Sequence, residues 1–115
     1  MKVTGMNEIH ADSRDVVAEI LADDFQGRVK AAILESGSMK EMGIKRFVIE
    51  KAEIYGTQYS DGDPIGTFLV TVSYKAKKYK PNSAIYKVYI VGGGRKTIDT
   101  AYFQTNTYIT LVKVN

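Results

Sequence analysis

Thr67-Phe68-Leu69-Val70-Thr71-Val72-Ser73-Tyr74-Lys75-Ala76-Lys77-Lys78-Tyr79 is the stretch that decides the fold. Phe68, Val70, Val72, Tyr74 and Ala76 fall on one side of an extended chain. Thr67, Thr71, Ser73, Lys75 and Lys77 fall on the other. Side chains alternate between the faces of a strand, so this pattern predicts a strand with one buried and one wet face.

Working outward toward the C-terminus, Pro81-Asn82-Ser83 predicts a turn, followed by a strand from Ala84 to Val91 that ends in Gly92-Gly93-Gly94. A turn at that place sets Lys80 opposite Ala84. Lys78 then meets Tyr86, Ala76 meets Val88 and Tyr74 meets Ile90 on the inner face. On the outer face Tyr79 meets Ile85, Lys77 meets Lys87 and Lys75 meets Tyr89. A one-residue slip would mix the faces, which burial opposes. A last β region is expected from Thr97 to Val114, either one bent strand or two broken near Thr105-Asn106.

Toward the N-terminus, Asp61-Gly62-Asp63-Pro64 is a turn cluster within a connection from Gly56 to Gly66, and a strand is expected before it from Ile44 to Tyr55. Upstream of Gly43 the period changes. Val17, Ile20, Leu21, Phe25, Val29, Ala32 and Ile33 recur at steps of three and four, the stripe of an amphipathic helix with one buried face. Its polar side carries Arg14, Glu19, Asp23, Gln26 and Lys30. Asp12 or Ser13 is the expected N-cap and Gly37 the left-handed C-cap. Gly27 marks either close packing on the sheet or a slight bend, and residues 1–11 an extended lead-in.

These elements predict a single α+β domain over residues 1–115: one N-terminal amphipathic helix packed on an antiparallel meander of four or five strands. In element order and strand length the chain resembles cystatin-like and NTF2-like rolls, in which a long helix lies across a curved meander. The resemblance carries no motif and assigns no functional residue.

The charge is segregated. Residues 1–42 hold 5 basic and 8 acidic side chains, a balance of −3, while residues 43–115 hold 11 and 5, a balance of +6. Between Asp63 and Asp99 there is no carboxylate, yet Lys75, Lys77, Lys78, Lys80, Lys87, Arg95 and Lys96 all occur there with Tyr74, Tyr79, Tyr86 and Tyr89. Such polarity can steer a partner or orient copies of the protein head to tail. The expected binding residues are Lys75, Lys77, Tyr79, Lys87, Tyr89, Arg95 and Lys96. Cations beside flat rings suit single-stranded nucleic acid, and exposed tyrosines suit protein interfaces. Lysines on exposed strands also simply block edge-to-edge pairing.

Several chemistries lack their residues. The chain has no cysteine, which removes disulfides, thiolate metal sites and cysteine nucleophiles. Gly92-Gly93-Gly94-Arg95-Lys96 lacks the spacing and the following helix of a phosphate loop. His10 is the sole histidine, and with Glu8 and Asp12 it makes no metal set or hydrolase triad. Asp61, Asp63 and Asp99 are read as turn or strand-end residues, outside any pocket. No apolar run follows Met1 as an export signal requires, and none is long enough to span a bilayer. The expectation is a cytoplasmic, non-enzymatic binding or assembly module without cofactor or membrane contact, acting on a protein partner or on copies of itself. A single-stranded nucleic-acid binder and a small NTF2-like ligand-binding domain or enzyme are the alternatives.

Overall fold

In the computed structural model, β2 (Phe47–Ser60) and β3 (Asp63–Lys75) form a long antiparallel hairpin. Its loop is only Asp61 and Gly62, with φ of 51° and 85°. Positive φ at both positions is the two-residue turn that matches strand twist, and Asp-Gly is a sequence that tolerates it. The turn is therefore tighter than the expected Gly56–Gly66 connection. The structure describes residues 1–75, 81–92 and 98–108.

The strand order is β1-β2-β3-β4-β5, with β1 (Lys2–Thr4), β4 (Pro81–Val91) and β5 (Thr100–Tyr108) completing the sheet. All neighbours are antiparallel except β1 and β2, which are parallel. A parallel pair needs a crossover, and the helices supply it. The expected lead-in thus contains a three-residue edge strand and a 3-10 turn at Met6–Glu8.

The single long helix is two, α1 (Ala11–Ala22) and α2 (Phe25–Glu35), and a short α3 (Ser38–Glu41) follows Gly37. The break falls at Asp23-Asp24, where Asp24 takes φ 47°. An aspartate visits this left-handed region more readily than most residues. Gly27 is neither the bend nor a contact with the sheet, because a Cβ there would collide with the Asp24 carboxylate. The N-cap of α1 is His10 rather than Asp12 or Ser13, whose hydroxyl instead reaches Thr57 at 2.7 Å. Gly37 does take the left-handed conformation, φ 79°, just beyond α2.

The break lets α1 cross the strands at one end while α2 continues toward the other. Ile20 packs on β3 and β4, where a Cβ on Gly66 would come within 3.0 Å of its Cδ1. Phe25 stacks at 4.7 Å on Phe68. The core unites Val17, Ile20, Val29 and Ile33 with Phe68, Val70, Val72, Tyr86 and Val88. The alternation of β3 is obeyed: its apolar set meets the helical stripe, and Leu69, Thr71 and Ser73 face away, half-buried.

The β3–β4 register differs from the expected one. Tyr74 pairs with Asn82, Val70 with Tyr86, Thr67 with Tyr89 and Leu69 with Lys87. Pro81-Asn82-Ser83 is the start of β4, a position where proline is tolerated because its missing N–H interrupts no interior ladder. The pairing is displaced by eight residues, an even number, so every side chain keeps its face. The observed register gains a longer ladder, from Ile65–Val91 to Lys75–Pro81. The expected partners Ala76, Lys77, Lys78, Tyr79 and Lys80 lie outside the described residues. The final β region is one strand as far as Tyr108, with a bulge at Gln104. Among the described residues no helix is long and apolar enough to cross a membrane.

Candidate functional site

All three helices pack on one face of the sheet, and the opposite face carries none. Cross-strand rows on that outer face follow from the register. One runs Glu53–Leu69–Lys87–Tyr102, the next Lys51–Thr71–Ile85–Thr105. A third row, Gly56–Thr67–Tyr89–Thr100, lies on the other side of the first. The Lys87 Nζ lies 5.8 Å from the centre of the Tyr89 ring, within reach of a cation–π contact. Tyr89 in turn meets Tyr102 edge to face at 5.8 Å. Tyr102 is 57% exposed. The outer face is thus amphipathic and of mixed charge. Glu50, held by the Ser73 hydroxyl at 2.6 Å, and Glu53 stand on the β2 side, and Lys87 stands on β4.

A second surface forms where α2, the segment after α3 and the near ends of β2 and β3 converge. This open groove has a volume of about 930 Å³. Lys30, Lys45, Arg46 and Lys75 supply four cations, and the one carboxylate held against a lining residue is Glu50, on the Ser73 hydroxyl, among the described residues. The apolar lining includes Phe47 and Tyr74, with Leu34 and Val48 unusually open at 50% and 60% exposure. Tyr74 is fixed by a hydrogen bond from its hydroxyl to Asn106 Oδ1 at 2.8 Å. Among the described residues, the buried Oδ1 of its cross-strand partner Asn82 has no hydrogen-bond partner.

Of the expected binding residues, Lys75 lines the groove, whereas Lys87 and Tyr89 stand on the outer face. Lys75 does not meet Tyr89, and Lys87 faces Leu69 instead of Lys77. Tyr89 pairs with Thr67, eight residues along β3 from Lys75, which is about 26 Å of extended chain. Lys77, Tyr79, Arg95 and Lys96 lie outside the described residues.

Two polar clusters escaped the sequence reading. Arg28 grips Asp99 with two hydrogen bonds, Nε to Oδ2 and Nη2 to Oδ1, both 2.9 Å. Its Nη2 also donates to the Val91 carbonyl at 2.6 Å, and the Val91 amide donates to Asp99 Oδ1 at 2.9 Å. Asp99 is therefore consumed in a clasp between α2, the end of β4 and the chain entering β5. A separation of 71 residues leaves no local signal for it. Asp63, expected in an exposed turn, is buried at the start of β3. The second cluster joins the Ser38 and Tyr86 hydroxyls at 2.6 Å. Burial pushes the Tyr86 hydroxyl above its ordinary pKa, and the Ser38 bond partly offsets the rise. No three His, Asp or Glu side chains come together as a metal set among the described residues.

Compared with known proteins, the chain matches no family model, no curated protein and no solved structure. The likeness to cystatin-like and NTF2-like rolls therefore rests on element order alone.

Proposed function

We propose that the chain is a non-enzymatic assembly module that acts through the uncovered face of its sheet, taking a protein surface and foremost a second copy of itself. One observation carries this reading: the face opposite the helices sets Leu69, Ile85, Tyr89 and Tyr102 around Lys87 across three strands. An antiparallel sheet commonly leaves one face wet, but such a face is then largely polar. Tyrosine with aliphatic neighbours is the composition of an interface core. The charges suit a two-fold contact. Glu53 and Lys87 share a row two strands apart, so a copy turned about a two-fold axis sets each against the other.

Light scattering at low and high salt tests the reading. Self-association that survives high salt, and is lost when Leu69 and Tyr102 are both replaced by serine, supports it. A protein that stays monomeric at high concentration removes it. The nucleic-acid reading is favoured by the Lys87–Tyr89–Tyr102 stack, since a cation beside rings is a stacking platform for unpaired bases. Retention on a single-stranded oligonucleotide that falls steeply with salt and is lost in Tyr89→Ser would favour that alternative.

A further inference from the structure

We propose that the basic groove of one copy receives the acidic outer side of α1 from a second copy, joining molecules end to end. This rests on the reading of the chain as an assembly module, but it uses the end of the sheet at Val48 and Lys75, away from Leu69 and Tyr102.

The two surfaces complement each other in charge. Asp12, Asp15 and Glu19 recur at steps of three and four, so they share one exposed side of α1. Ala11, Ala18 and Ala22 are also exposed and run beside them at helical spacing. The helix thus presents small apolar residues with carboxylates along one side. The groove presents the reverse: Leu34 and Val48 open to solvent, flanked by Lys30, Lys45, Arg46 and Lys75. Arg14 lies about 100° of helix rotation from Asp15 and farther from Asp12 and Glu19, on the opposite side of the alanines. Asp23 already shares Arg28 at 3.5 Å and is not needed for the contact.

The two surfaces also stand too far apart to meet within one molecule. The Ser13–Thr57 hydroxyl bond pins the first turn of α1 beside the Asp61-Gly62 end of the hairpin. The groove sits at the Phe47–Tyr74 pair. Ten residues of β2 separate Phe47 from Thr57, about 33 Å of extended chain, in a molecule whose long axis measures 50 Å. Among the described residues Asp12, Asp15, Glu19, Asp23, Asp24 and Asp61 outnumber Arg14 and Arg28 at that end. Joining an end of one sign to an end of the other is a heterologous contact, which propagates into a ring or an open chain.

Reversed-charge variants of the full chain test the contact by analytical ultracentrifugation. One carries Lys45→Glu and Arg46→Glu, the other Asp15→Lys and Glu19→Lys. All four side chains are exposed, and circular dichroism checks that both variants fold. The expected result is a salt-sensitive assembly of the wild-type protein, weakened on the order of tenfold or more as screening shortens the reach of charge from about 10 Å to about 3 Å. Each variant alone should lose that component, and an equimolar mixture should recover it. The Leu69/Tyr102 double-serine variant should keep the end-to-end component and lose only the salt-resistant one. Association untouched by either reversal, or a mixture that fails to recover it, overturns the groove contact while the sheet-face reading keeps its own test. A monomeric wild-type protein whose groove cations instead retain a single-stranded oligonucleotide overturns both, and assigns the groove to nucleic acid.

Discussion

The inner and outer faces of the same two strands, β3 and β4, differ in what their side chains can do. On β3 and β4 the inner residues Phe68, Val70, Val72, Tyr86 and Val88 are wholly withdrawn from solvent beneath the helices. Their immediate neighbours in sequence, Leu69, Thr71, Ile85, Lys87 and Tyr89, remain half-buried with no helix above them. The inner set owes its position to the burial of apolar area, worth about 25 cal/mol per Å². The outer set gives up far less area on folding. On the proposed function, stability and recognition fall to alternate residues of the same strands, and substitution can separate them.

The largest effect should come from the inner face. Phe68→Ala removes a ring packed on Phe25 and should lower unfolding free energy by about 3–5 kcal/mol in urea titration. A loss near that of a surface substitution would break the distinction between the faces. Next is the clasp that ties the helical layer to the far end of the sheet. Arg28→Ala removes both guanidinium bonds to Asp99, leaving it the Val91 amide, together with the bond to the Val91 carbonyl, and should cost about 1.5–3 kcal/mol. Arg28→Lys should recover only part of it, because an ammonium cannot reproduce the two-pronged grip.

Tyr86 sharpens the comparison through pH. Its folded-state pKa is raised above 10.0, chiefly by burial. The folded protein therefore holds the phenol proton more tightly than the unfolded chain. That contribution is complete below pH 10 and disappears as pH climbs through the higher folded value. Wild-type protein should lose stability above pH 10 more steeply than Tyr86→Phe. At neutral pH the variant should lose only about 1 kcal/mol, for the missing bond to Ser38. Equal alkaline slopes would contradict this. The smallest stability effect belongs to the outer face, where Thr71→Ser or Lys87→Gln should stay within about 0.5 kcal/mol.

The assignment of residues to faces was legible in the sequence because a period of two is local. Phe68, Val70, Val72 and Tyr74 announced their side with no knowledge of their partners. Their partners were not legible, since a displacement of eight residues leaves the alternation unchanged. The choice between registers came from the longer ladder that begins at Pro81. The helix break was hidden because Ile20, Leu21 and Phe25 keep the apolar stripe running across Asp23-Asp24. β1 is three residues long, too short to show any period. Asp61-Gly62 was readable as a turn because its chemistry is contained in two residues. The groove and the Arg28–Asp99 clasp were not, because each gathers residues distant in sequence.

The central claim is that the outer sheet face serves recognition and not stability, and one paired measurement addresses it. Molar mass by light scattering and the urea midpoint should be recorded together for the wild-type protein and for Leu69→Ser/Tyr102→Ser. The account predicts that the variant keeps a midpoint close to that of the wild-type protein while its salt-resistant association disappears. A variant that unfolds readily, or one that associates as the wild-type protein does, would contradict it.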